Sequence, residues 1–147
     1  MSFQVKIGLL VALVALAAIV GLIWKARTGK AKQVDSGNRV NLAELAIVKD
    51  GKTVTELSTR VTFLQFSTDF CTFCGPTAKM LQTLEKSDPN VTHLEINVTD
   101  RLDLVKKYNI MQTPLTLVLD QRGEIQSRIS GAPKAHTLVT EIGNFDI

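Results

Sequence analysis

Cys71 and Cys74 are the only cysteines in the chain, and only Thr72 and Phe73 separate them. Two thiols at this spacing reach each other across one turn of backbone. One can attack a disulfide as a thiolate, and the other can then resolve the mixed disulfide. The surroundings favour that chemistry. Residues 61–66, Val-Thr-Phe-Leu-Gln-Phe, have the β-branched and aromatic composition of a central strand. After the pair, Ala78, Leu81 and Leu84 recur at helical spacing up to Asp88-Pro89-Asn90. The first cysteine is therefore placed between a strand end and a helix start, where free N–H groups and the positive end of the helix dipole stabilise a thiolate. Cys71 is the expected attacker and Cys74 the expected resolver. Pro76 falls in the first helical turn, where its missing N–H costs little.

Other uses of two cysteines carry less weight. A zinc site normally needs four ligands. The only histidines, His93 and His136, fall in a predicted strand and a predicted helix with no ligand-like spacing to the pair. His93 reads as a strand residue and His136 as a surface residue. A purely structural disulfide closing so small a loop restrains little of the unfolded chain. A second feature is Thr113-Pro114, immediately before the apolar run at residues 115–119. Proline is tolerated as the first residue of a strand, and X-Pro is the one inexpensive route to a cis bond, although trans is the ordinary state.

The elements that must position these residues form two unlike pieces. Residues 1–39 hold six Lys/Arg and one acid, while residues 40–147 hold eleven Lys/Arg and thirteen Asp/Glu. The basic pI of about 9.0 thus belongs to the N-terminal flank. A globular part with net negative charge has no electrostatic reason to hold nucleic-acid phosphates. Two cysteines only three residues apart equally exclude a disulfide-stapled scaffold.

Residues 7–24 run for eighteen positions without a charge. As a helix they span about 27 Å, close to the hydrocarbon thickness of a bilayer. Trp24 ends the run, where an interfacial ring belongs, and Lys25, Arg27, Lys30 and Lys32 follow. A cleaved signal has a shorter apolar stretch, and a buried core helix has a polar face, which this segment lacks. The expected organisation is a short flank at residues 1–6, a transmembrane helix at 7–24, a basic juxtamembrane linker at 25–38 and one folded domain at 39–147. Gly29, Ser36 and Gly37 give the linker the composition of a tether. The cations after the span favour a cytoplasmic domain over an extracytoplasmic one.

Within the domain, Asn41 can cap a short helix over residues 42–47, and Lys49-Asp50-Gly51-Lys52 marks a turn. Residues 91–98 alternate as a strand, and Asp100 can cap a helix carrying Leu102, Leu104, Val105 and Tyr108. Asp120-Gln121-Arg122-Gly123 is a hairpin turn, with its partner strand at residues 124–129. Ser130-Gly131-Ala132-Pro133 leads into a last helix over residues 134–145. The order is β-α-β-α-β-β-α. It predicts a mixed sheet with parallel neighbours where helices intervene, an antiparallel edge at the hairpin, and helices on both faces.

Taken together, residues 61–145 resemble a domain of the thioredoxin family. The resemblance rests on Phe63-Leu64-Gln65-Phe66-Ser67 before the pair, Cys71-Thr72-Phe73-Cys74 itself, the run from Tyr108 to Leu117 that contains Thr113-Pro114, and Gly131 near the active-site rim. It implies an α/β, thioredoxin-like mixed β-sheet flanked by helices, with a cis Pro114 beside the redox-active disulfide. It also implies that Thr113 and Pro114, with Thr72 and Phe73, contact an extended substrate segment. Departures from the family pattern are plain. Thr72-Phe73 replaces Gly-Pro between the cysteines, which leaves the direction of electron flow open. Phe70 replaces a tryptophan, and Gly75-Pro76 follows the second cysteine. Gln65 stands where the family has a buried acid, and a glutamine cannot act as a base near neutral pH. The family's lysine near that acid corresponds to Glu95, which reads as a solvated strand residue more than as a substitute proton acceptor.

The resulting expectation is a membrane-anchored thiol–disulfide oxidoreductase. It would exchange disulfides with protein partners and with a dithiol electron donor or acceptor, without metal or organic cofactor. Two alternatives stand beside it: a redox-inactive docking module at the membrane, and a chaperone that holds a soft metal ion such as Cu(I) between the two thiolates.

Overall fold

The computed structural model describes residues 2–34, 37–58 and 60–145. In chain order its elements are α1 (Phe3–Arg27), β1 (Ala31–Gln33), α2 (Leu42–Leu45), β2 (Val48–Lys49), β3 (Lys52–Thr53), β4 (Val61–Ser67), α3 (Cys74–Ser87), β5 (Val91–Asn97), α4 (Leu102–Lys107), β6 (Leu115–Leu119), β7 (Ile125–Ser130) and α5 (Ala135–Gly143). All seven residues of β4 are buried. A strand with no solvent-facing side must be paired on both edges and covered on both faces, and β4 has parallel β5 on one edge and antiparallel β6 on the other. The five-stranded sheet has the order β1-β7-β6-β4-β5.

Alternate residues of β4 feed two cores. On one face Val61 and Phe63 join Val91, Val118, Leu81 of α3 and Leu138 of α5. On the other, Leu64 and Phe66 join Leu94, Leu117, Leu104 of α4 and Leu45 of α2, and the Phe66 and Tyr108 ring centroids lie 5.3 Å apart. The mixed sheet with helices on both faces matches the sequence expectation. One connection differs: β6 runs antiparallel to β4 although α4 intervenes between β5 and β6. The helix carries the chain past β4, so β5 and β6 are not neighbours and the parallel rule does not bind them. Asp100 is not the N-cap of α4 either; Arg101 holds that place without a side-chain cap. Asn41 does cap α2, accepting from the Ala43 N–H at 3.0 Å. The Lys49–Lys52 turn closes the small β2–β3 hairpin, with Asp50 and Gly51 both at positive φ.

The N-terminal helix extends beyond the uncharged run at both ends, and none of its residues is buried. It is long and apolar enough to cross a membrane by length and composition, with mean hydropathy 2.8.

The stretch read as a tether is more ordered than its composition suggests. Ala31–Gln33 forms β1 and pairs antiparallel with β7; Asp35 and Ser36 lie outside the described residues. Only Thr28, Gly29 and Lys30 separate helix from strand. Thr28 closes α1, its N–H and hydroxyl both donating to the Trp24 carbonyl. Gly29 then donates its N–H to the Ser130 carbonyl at 2.8 Å. Its φ is +76°, and a Cβ there would stand 2.3 Å from the Ala132 carbonyl oxygen. From the other side, a Cβ on Gly131 would stand 2.4 Å from the Thr28 methyl group. Two glycines facing each other let the end of α1 lie directly on the domain.

This contact yields a stability prediction. Gly29→Ala adds backbone strain at positive φ to a clash with main chain, so the full-length protein in detergent micelles should lose about 2 kcal/mol, or roughly 5–10 °C in Tm. Gly143→Ala, where a Cβ would meet nothing within 4 Å, should leave the thermal midpoint in place. Equal midpoints for both variants would refute the tight junction.

Candidate active site

The buried strand β4 delivers the chain to a turn in which the Cys71 N–H donates to the Thr68 carbonyl at 3.2 Å. Helix α3 begins at Cys74, with Phe73 as its N-cap. Cys71 therefore lies three residues ahead of the helix instead of within its first turn. Pro76 is the third helical residue, where an N–H would have no intrahelical acceptor. Cys71 and Cys74 form a disulfide, with Cα atoms 5.5 Å apart. Their exposures differ: Cys71 is partly accessible, and Cys74 is buried. Thr72 and Phe73 are exposed between them.

The loop from α4 to β6 supplies the facing wall. The Thr113–Pro114 bond is cis. The Thr113 hydroxyl is 3.1 Å from that of Thr68, which ties this loop to the end of β4. The Pro114 carbonyl accepts from the Gly131 N–H at 2.8 Å. Arg128 donates to the carbonyls of Tyr108 and Asn109, holding the loop from behind. Phe73, Thr113 and Pro114 line one cavity, so residues about forty apart in sequence meet there.

Beneath the disulfide is a buried polar chain. The Gln65 amide nitrogen donates to the Cys74 carbonyl at 2.9 Å. Its oxygen then faces His93 Nε2 at 3.0 Å. Because the amide nitrogen is committed to a carbonyl, the amide oxygen must accept, and His93 carries its proton on Nε2. Glu85 accepts from the His93 backbone N–H and pairs with Lys49, and Lys49 also donates to the His93 carbonyl. Burial lowers the His93 pKa from 6.5 to about 4, against the attraction of Glu85 and with the help of Lys49. The ring is neutral at physiological pH.

Glu95 pairs in register with Gln65, but its side chain is exposed, as a solvated strand residue should be. The side chain that reaches Gln65 is His93, so His93 is more than the plain strand residue its place in the sequence suggests. The sequence contained part of the signal, since His93 alternates with Val91 on the buried side of β5. The register itself sets Glu95 opposite Gln65 and His93 opposite Phe63, so His93 reaches Gln65 diagonally across the two strands. His136 is exposed on α5, away from these contacts.

The matched family model and the solved structures agree with this fold. The family model described as thioredoxin matches residues 42–144. Fasciola hepatica thioredoxin is 22% identical and superposes with a TM-score of 0.52, covering 60% of this chain and 84% of that one. Trichomonas vaginalis thioredoxin is 17% identical with a TM-score of 0.52, covering 60% and 82%. Thioredoxin NaTrxh from Nicotiana alata is 21% identical with a TM-score of 0.51, covering 59% and 74%. No curated protein sequence matches the chain. The chain belongs to the thioredoxin family. A thioredoxin-fold domain carrying the Cys71–Cys74 pair is, in class, a thiol–disulfide oxidoreductase.

The neutral histidine has a measurable consequence. Its folded pKa lies below the ordinary value, so the unfolded chain takes up the proton first as pH falls. Stability from this group is complete above about pH 6.5 and is lost as pH falls through about 4, a loss of up to about 3 kcal/mol. His93→Gln does not titrate and can still donate to Gln65. Its urea midpoint should therefore decline less than that of the wild type between those two pH values. Parallel declines would refute a buried neutral His93.

Proposed function

We propose that this protein is a membrane-anchored enzyme that exchanges disulfides with protein partners, with Cys71 as the nucleophile and Cys74 as the resolving thiol. The observation that carries the reading is the unequal pair at the mouth of a buried strand, opposite Thr113–Pro114. The partly accessible Cys71 is the sulfur a partner can reach, and the buried Cys74 is poised to attack only Cys71. In the reducing direction, the Cys71 thiolate attacks one sulfur of a partner disulfide. A Cys71–partner bond forms and one partner thiolate leaves. Cys74 then loses its proton and attacks Cys71, the second partner thiolate leaves, and the Cys71–Cys74 disulfide remains. Two electrons pass to the partner, and a second dithiol carrier restores them. The oxidising direction is the same sequence reversed.

Thr113 and Pro114, with Thr72 and Phe73, form the docking edge for an extended segment of the partner. Gln65 and His93 hold the Cys74 carbonyl and the start of α3 in place and supply no base. The anchor is α1. Its support is an apolar helix of which no residue is buried among the described residues, followed by Lys25, Arg27, Lys30 and Lys32. The same cations favour a cytoplasmic domain.

Two experiments test these assignments in the full-length chain. Cys71→Ser should lower disulfide reductase activity to background, and Cys74→Ser should accumulate a mixed disulfide through residue 71. No reductase activity in the unsubstituted protein, with partner binding unchanged in Cys71→Ser, would instead assign a redox-inactive docking module. For topology, a membrane-impermeant maleimide applied to intact, reduced cells should leave both cysteines unlabelled, with the protein retained in membranes after a carbonate wash. Labelling would place the domain outside, and release by carbonate would remove the anchor.

A further inference from the structure

A cavity of about 550 Å³ lies between the last turn of α1 and the active-site rim. Gly21, Trp24 and Thr28 form one wall, and Phe73, Thr113 and Pro114 form the other. The wall contributed by α1 is fixed in place. Gly29 donates to Ser130, β1 pairs with β7, and Gly131 donates to Pro114. The helix end is thus joined to the docking edge through consecutive hydrogen bonds, with no slack segment between them.

The height of the cavity follows from the sequence. Gly21 lies inside the uncharged run, and Trp24 is its last residue. If α1 spans a bilayer, these residues stand at the boundary between hydrocarbon and headgroups. The disulfide rim then rests at that level instead of projecting into water. The exposed side chains around the rim suit such a place. Phe70 precedes the pair, Phe73 lies within it, Met111 precedes Pro114 in the facing loop, and their exposures are 92%, 61% and 85%.

We infer that this cavity receives the juxtamembrane segment of an integral membrane protein, which presents its cysteine within a few residues of its own span. This rests on the membrane-anchored oxidoreductase reading and specifies its substrate. The cavity is continuous with Thr113 and Pro114, so an occupant can lie against α1 and the docking edge together. A segment emerging from the bilayer already sits at the height of Trp24. A segment from a soluble protein would have to carry its polar backbone into the interface to reach the same wall, at a desolvation cost. Confinement to the membrane plane also raises the effective concentration of a partner that is itself anchored.

The test uses pre-reduced full-length protein in phosphatidylcholine vesicles, in single turnover. One probe is a tryptophan-free transmembrane peptide with an oxidised Cys-x-x-Cys two residues beyond its apolar span. The other carries the same motif behind a twenty-residue Gly/Ser spacer. The near-span peptide should be reduced roughly ten-fold faster or more, and Gly21→Trp, which fills the cavity, should erase that preference. Trp24 is the only tryptophan, so its quenching by brominated lipid in the unsubstituted protein reports what occupies the cavity. The near-span peptide should relieve the quenching and the spacer peptide should not. Equal reduction rates would overturn the inference. Quenching unaffected by either peptide would assign the cavity to lipid and overturn it as well. Relief on raising protein density without peptide would assign it to a second copy, which equally overturns it. The underlying reading fails separately: in its activity if a small soluble disulfide is also not reduced, and in its anchor if the protein does not partition into the vesicles.

Discussion

Every side chain of β4 is buried, and the rest of the domain can be understood as what that burial requires. A wholly buried strand needs hydrogen-bonding partners on both edges, and β5 and β6 supply them. It needs apolar cover on both faces, and α3 with α5, and α4 with α2, supply that. The end of such a strand is the one place where it meets the surface, and there the chain turns into Cys71. The cysteine pair is thus held at the end of a wholly buried strand. The facing loop is brought to it by β6, the neighbour of β4.

Burial also explains the polar chain under the site. A glutamine in the middle of a buried strand must satisfy both ends of its amide. One end takes the Cys74 carbonyl. The other takes His93, which thereby acquires a defined tautomer and loses its ordinary basicity. The Lys49–Glu85 pair brackets the backbone of the same histidine. Where the family pattern puts a buried charge beside the second cysteine, this chain has a neutral relay of hydrogen bonds. The electrostatic consequence is a second cysteine with no ionisable neighbour contributed by β4.

What the sequence disclosed, and what it concealed, divides along the range of the forces involved. The strand at Val61–Ser67, the helix carrying Leu81, the Asn41 cap and the Asp50-Gly51 turn are written in local composition and were legible. So was the thiol pair, because its chemistry depends on neighbours three residues apart. β1 was not legible: Ala31, Lys32 and Gln33 have no strand signature and are extended only because β7 offers an unpaired edge. The role of His93 was hidden because its contact with Gln65 is diagonal: the strand register sets Glu95 opposite Gln65 and His93 opposite Phe63, and only the side chains in three dimensions bring His93 to Gln65. The reversed direction of β6 was hidden because α4 looks like any crossover helix until the strand order is known.

The pairing of β1 with β7 also imposes an order in time. Ala31 finds its partner at Ile129, about a hundred residues later, so this loop is the longest that the sheet closes, and its entropy must be met late. During synthesis α1 emerges well before the strand that will hold it to the domain exists. Until β7 is made and docked, α1 and the nascent domain are joined by a free chain, and the domain can collapse around β4 without dragging on the helix. The rigid junction between them is among the last parts of the molecule to form. Formation of α1 and its docking onto the domain are thereby separated into successive events by nothing more than the distance along the chain between two hydrogen-bonded strands.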